Sequence, residues 1–212
     1  MRVRYFDDLV VSRAGYVRQV VLLGAGLDTR AFRLDLPAGL DWYEVDRHEV
    51  LTAKEDVLAG CVPRCRRHVV AGDVGGDWDS ALLRAGFDRD APTLWVAEGL
   101  LFYLTEQAIA GMLRGAARMC GPGSVLAADV IGTVGLDSPV MQPYRAWCAR
   151  NGVPPPFGTD DPLALLTAGA WQPGHVTAPG APDANYGRLP RAGAGVMPGR
   201  THLVTGQRHH AG

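Results

Sequence analysis

The sequence predicts a doubly wound α/β domain built on a mainly parallel sheet. Three observations carry that reading. Short β-rich runs alternate with segments of helical spacing through the first 130 residues, the first run breaks into Gly24-Ala25-Gly26, and the later runs end in acidic residues. Strands separated by helices return parallel through right-handed crossovers. In such sheets ligands sit at the C-terminal strand ends.

Taken in order, strands are expected at Gln19–Leu23, Asp41–Val45, His68–Ala71, Thr93–Ala97 and Ser124–Asp129. Helical spacing falls over about Thr29–Leu34, Glu49–Leu58, Asp79–Ala85 and Glu106–Met119. Asp79 and Thr105 are the residue types that cap helix starts, and Gly121-Pro122-Gly123 ends the fourth helix. Eleven of the fifteen prolines follow Gly132, so the last third is loop-rich. It still carries a helical run at Pro162–Ala168 and β-rich runs at Trp171–Thr177 and Thr201–Thr205, for seven strands in all. With no internal repeat or linker, the chain reads as one domain, 1–212: a cofactor-binding part to residue 130 and a substrate-facing, loop-rich part over 131–200.

Composition narrows the function. A chain of 212 residues holds one substantial core. A net charge of -1 leaves no basic footprint for nucleic acid or anionic lipid, and no run of apolar residues is long enough to span a membrane. The four cysteines are scattered as reduced thiols would be, which points to a cytoplasmic location. Cys61, Cys65 and His68 lie close together but lack a second ligand pair, so no metal site is expected.

The strand ends narrow it further. Gly24 and Gly26 let the backbone turn tightly against a ligand. A dinucleotide fingerprint would place a third glycine where Thr29 stands, and Asp28 occupies the helix start that would receive a pyrophosphate. A carboxylate there repels phosphate and favours a ligand with a cationic part. Asp46 ends the second strand, twenty residues beyond Gly26, where it can accept from ribose hydroxyls. Asp73 follows the third strand, placed to accept from an adenine amino group with the Val74 amide beside it. Glu98 follows the apolar run TLWVA, where a carboxylate needs a cationic partner. These four ends suit S-adenosylmethionine.

The strings MRVRYFDD, LLGAGLDTRAFRL, YEVDRHEVLTAKEDVL, AGDV and AEGLLFYL resemble the leucine carboxyl methyltransferase family, which includes actinobacterial S-adenosylmethionine-dependent methyltransferases and polyketide O-methyltransferases. They run in order from residue 1 to about 120, with YGR at 186–188 and HLVTG agreeing more loosely. The resemblance implies a seven-stranded, Rossmann-like methyltransferase sheet with its last strand antiparallel. It implies that Arg2 pairs with the methionine carboxylate, that Gly24 lines the methionine portion and Asp46 the ribose, that Asp73 and Val74 hold the adenine, and that Glu98 holds the methionine end. It implies a helical lid segment before Arg2, and the sequence starts almost on the motif. The expectation is either that the segment is encoded further upstream or, for the chain taken as complete, that the site is open with slow turnover or borrows a lid from a partner.

The acceptor expected is the carboxylate or hydroxyl of a small molecule, a secondary metabolite among the candidates. No histidine stands near Glu98 to serve as a base, which favours a carboxylate, already ionised at neutral pH. Tyr103 is the candidate for orienting the acceptor, with a buried structural tyrosine as the other reading. Met141, Tyr144, Arg145 and Trp147 offer apolar walls and one cation for an aromatic acid, or else a helix packing its aromatic face. A homodimer is the assembly to test. Two other classes stay open: a catalytically silent protein of the same fold acting as a partner, and a nicotinamide-dependent oxidoreductase.

Overall fold

A computed structural model describes residues 1–187 and 201–208. Arg188, the end of the YGR string, and the rest of 188–200 lie outside the described residues. Seven strands form one sheet: β1 (Gln19–Leu23), β2 (Asp41–Asp46), β3 (Arg66–Ala71), β4 (Thr93–Ala97), β5 (Val125–Ile131), β6 (Gln172–Thr177) and β7 (Thr201–Gln207). Their order is β3-β2-β1-β4-β5-β7-β6. The first five are parallel, and β7 runs antiparallel to both β5 and β6.

The central strands are apolar on both faces because helices cover both. On one face α1 (Arg2–Arg13) lays Phe6 and Val10, one turn apart, against Val20, Leu22 and Trp42. The one-turn α2 (Arg30–Arg33) and α3 (His48–Val57) follow β1 and β2. On the other face α4 (Asp79–Arg84), α5 (Glu106–Arg118) and α8 (Pro162–Ala168) bury Leu82, Ile109, Met112, Leu113 and Leu166 against Val21, Leu23 and Trp95. A 3-10 turn (Leu101–Tyr103) leaves β4, while α6 (Thr133–Leu136) and α7 (Gln142–Asn151) follow β5.

Differences from the expected elements have local causes. Strand β3 begins two residues early, at Arg66, because it is the sheet edge, where charged side chains reach solvent. Helix α2 stops after Arg33, with Leu34 already extended on the approach to Pro37. Asp79 is not the cap of α4: Trp78 holds that position, and Asp79 is the first helical residue, its carboxylate accepting from Ser80 N at 2.8 Å. Thr105 does cap α5, accepting from Ala108 N at 3.2 Å. Cys65 is buried, its thiol pushed up to about 11 by burial, while His68 pairs with Asp41 and stacks on Tyr43. Replacement of Thr105 by Ala is expected to lower stability by about 1 kcal/mol in urea unfolding, with Thr105→Asn near the parent; equal losses for both would remove the capping role.

Candidate active site at the sheet edge

Strand register brings the acidic ends into one row. Leu23 pairs with Val45, Leu22 with Val96, and Ala97 with Ala128. One residue further on, Asp46, Gly24, Glu98 and Asp129 therefore stand side by side on β2, β1, β4 and β5, about 4.8 Å from neighbour to neighbour. The turn after β1 is drawn toward β2: Gly24 N and Ala25 N both donate to Val45 O, at 2.9 and 3.1 Å. Gly24 holds φ +68°, and a Cβ there would lie 2.7 Å from Leu100 Cδ1. The dihedral strains any residue with a Cβ, and Leu100 would have to shift to make room for one.

Charges from segments far apart in the chain meet on this row. Arg2 Nε donates to Glu98 Oε1 at 3.0 Å, and Arg2 Nη1 donates to Asp129 Oδ2 at 3.1 Å. Gly99 N, at φ +67°, donates to Asp129 Oδ1 at 2.5 Å. Arg30, only 2% exposed, donates through Nη2 to Glu98 Oε2 at 2.6 Å and through Nε to Asp7 Oδ1 at 2.7 Å. Its Nη1 pairs with Asp28, whose other oxygen accepts from Arg30 N at 2.7 Å. Arg33 completes a bidentate pair with Asp7 at 2.6 and 2.7 Å. The cationic partner that Glu98 was expected to find in a ligand is thus supplied first by Arg2 and Arg30 of the chain itself. Burial raises the Asp28 and Asp129 carboxyls above the usual range, with Arg30 opposing the shift at Asp28, and the Gly99 amide and Arg2 opposing it at Asp129.

A pocket of about 480 Å³ opens beside this network, within the range of small-molecule sites. Of the expected cofactor residues it is lined by Arg2, Gly24, Ala25, Gly26, Asp28 and Glu98. Asp46 adjoins it, accepting from Gly26 N and Arg47 N at 2.7 Å each. Asp73 and Val74 lie outside that lining, past the end of β3; the exposed Asp73 accepts from Gly75 N at 2.9 Å. Lys54, the single lysine, is buried 2.8 Å from Glu44 Oε2 on α3 and β2.

The expected acceptor residues divide. Tyr103 and Tyr144 lie edge to face at 6.3 Å, Tyr144 stacks on Trp147 at 5.9 Å, and Phe102 stacks on Tyr144 at 5.1 Å. Tyr103 is exposed rather than buried. Met141 caps α7, and Arg145 turns away to Asp137 at 2.6 Å. Sequence reading missed Asp129, Arg30 and Asp7. Asp129 carried a usable signal, an acid on the fifth strand in line with the other four ends, and Arg30 adjoins the glycine loop; Asp7 had none beyond its place in MRVRYFDD.

The leucine carboxyl methyltransferase family matches the chain over residues 1–117. A relative from Parafrankia sp. (strain EAN1pec), named "Putative S-adenosyl-L-methionine-dependent methyltransferase", is 49% identical over 133 residues, 61% of this chain and 43% of its own length. The chain spans about half the length of the curated relatives it matches. Among solved structures, a DUF574 family protein from Streptomyces avermitilis aligns with a TM-score of 0.70 at 14% identity, covering 98% of this chain and 82% of that one. Human N-acetylserotonin methyltransferase in complex with SAM aligns with a TM-score of 0.58 at 13% identity, covering 98% and 55%. Both share the fold.

The ion pairs make stability pH-dependent in a known direction. Burial alone would raise Asp7, but hydrogen bonds from Arg33 and Arg30 outweigh it and hold the carboxyl below its usual value. Such a group stabilises the fold above the unfolded value of about 3.9 and loses that contribution as pH falls through the lower folded value. Asp7→Asn is therefore expected to cost about 1–3 kcal/mol at neutral pH and less in acid, below the unfolded value, read from denaturant unfolding at both. A cost unchanged between them would show that the charge of Asp7 is immaterial.

Proposed function

Because the chain belongs to the leucine carboxyl methyltransferase family, we propose that it binds S-adenosylmethionine along the Asp73–Asp46–Gly24–Glu98 edge and methylates a small molecule on a carboxylate or hydroxyl oxygen. The observation that carries this is the meeting of Arg2 with Glu98 and Asp129 beside a glycine loop. A methionine tail has one ammonium and one carboxylate, and needs an anion and a cation side by side. The donor set fits in charge as well. The ion pairs join four carboxylates, Asp7, Asp28, Glu98 and Asp129, to three guanidiniums, Arg2, Arg30 and Arg33, leaving one negative charge. The cofactor at neutral pH carries one net positive charge.

When bound, S-adenosylmethionine supplies a methyl group on a sulfonium, open to in-line attack. The chain's part is to hold and to orient. Arg2 takes the tail carboxylate, Glu98 the ammonium, Asp46 the ribose hydroxyls, and Asp73 with the Val74 amide the adenine. On the acceptor side, Phe102, Tyr103, Tyr144 and Trp147 form an aromatic wall on the turn after β4 and on α7. His202, on β7 opposite Val130, is two strands from Glu98. A carboxylate acceptor needs no base, which favours it over a phenol of pKa near ~10. The four cysteines are free thiols, in keeping with a reducing compartment, and no described helix is long and apolar enough to cross a membrane.

Asp46→Ala is expected to weaken S-adenosylhomocysteine binding by about 1.5–3 kcal/mol, and Glu98→Gln by a similar amount. Adenosine, which lacks the tail, should bind Glu98→Gln as it binds the parent but bind Asp46→Ala weakly. Calorimetry with both ligands decides: a Glu98→Gln loss that is equal for adenosine would place Glu98 outside the tail site, and unchanged affinity in Asp46→Ala would remove it from the ribose.

A further inference from the structure

The network has a centre that touches no part of the edge row by sequence position. Arg30 sits on α2, yet its buried guanidinium donates to acids from three separate segments: Asp7 on α1, Asp28 in the glycine loop and Glu98 at the end of β4. A fourth bond, to Val3 O at 3.3 Å, ties it again to α1, and the Phe6 ring lies 5.9 Å from its carbon centre. Lysine would supply one compact ammonium, whereas the planar fork of arginine can face three carboxylates in different directions.

We propose that Arg30 is the positioning residue for the cofactor's methionine end, setting both the place and the net charge of the carboxylates that receive it. This rests on the S-adenosylmethionine reading of the site. Arg30 fixes Glu98 Oε2 and so orients the carboxylate, whose Oε1 accepts from Arg2; Glu98 and Arg2 line the pocket together. Arg30 is also the one group that pairs with three of the network's four acids. Without it, Asp7 keeps Arg33 and Glu98 keeps Arg2, but Asp28 has only the Arg30 backbone amide and the more distant influence of Lys54, itself offset by Glu44. Asp129, next along the row, adds its own charge. Buried acids crowded in this way take up protons at higher pH, and a protonated acid no longer attracts an ammonium.

The sign of the effect follows. Loss of Arg30 should make tail binding weak at low pH and stronger as rising pH ionises the acids, whereas a purely structural arginine would give a deficit independent of pH. The test titrates S-adenosylhomocysteine and adenosine into the parent, Arg30→Lys and Arg30→Met between about pH 6 and pH 8.5, reading each variant's affinity as a ratio to the parent, which cancels the ligand's own titration. Arg30→Met is expected to bind S-adenosylhomocysteine about tenfold more weakly near pH 6, with the deficit shrinking toward pH 8.5 and adenosine unaffected at both. Arg30→Lys should restore a pH-independent ratio but only part of the affinity. A deficit constant with pH, or shared equally by adenosine, overturns the proposal. Should Arg30→Met lack a cooperative melt, Arg30→Lys decides alone, and parent-like affinity at every pH overturns the proposal. A parent that binds neither ligand overturns the cofactor reading and this inference with it; a parent that binds both, with variants that match it, overturns this inference alone.

Discussion

A guanidinium taken out of water has to be met by anions, and at Arg30 that requirement orders the carboxyl end of the central strands. Removing a charge from solvent costs several kcal/mol unless the geometry of its partners is good. Here the partners are a helix, a loop and a strand end that share no sequence neighbourhood. Satisfying one side chain therefore docks α1 over β4, closes the glycine turn against α2, and holds Glu98 through Oε2 while Oε1 turns to Arg2. Arg2 repeats the logic one strand further on, joining Glu98 to Asp129.

The sheet makes this economical in backbone terms. Because the central strands are parallel and their register is even, one residue past each strand suffices to line up the functional ends. Both faces of the central strands are packed by helices, and Asp46, Glu98 and Asp129 gather at that row. The same requirement explains Gly24 and Gly99, which turn the chain sharply just where side chains from the neighbouring segments press in.

Much of this was legible in the sequence because it depends on local pattern. The β-rich runs located all seven strands, and the acid after each run located Asp46, Asp73 and Glu98, since a strand's end and its first polar residue are written consecutively. What escaped depends on three-dimensional neighbours. Strand β3 was read short because Arg66 and Arg67 look like loop residues until one knows that β3 is the sheet edge. Arg30 and Asp7 look like ordinary solvated charges, and only the docking of α1 buries them together. Arg145 erred in the opposite sense: its helix was foreseen as one reading, but nothing local revealed that Asp137 would claim its side chain. The resemblance implied that Arg2 and Glu98, 96 positions apart, serve one ligand tail, but not that they pair directly with each other.

The aromatic wall has an optical consequence. Trp42, Trp78, Trp95 and Trp171 are each at most 3% exposed, while Trp147 is 46% exposed at the outer end of its stack on Tyr144. A polar collisional quencher such as iodide reaches an indole only where solvent does. Four of the chain's five tryptophans are thereby dark to it, and the quenchable emission belongs to Trp147. The intrinsic fluorescence carries a built-in reporter of the aromatic wall, separable from the core without any added label.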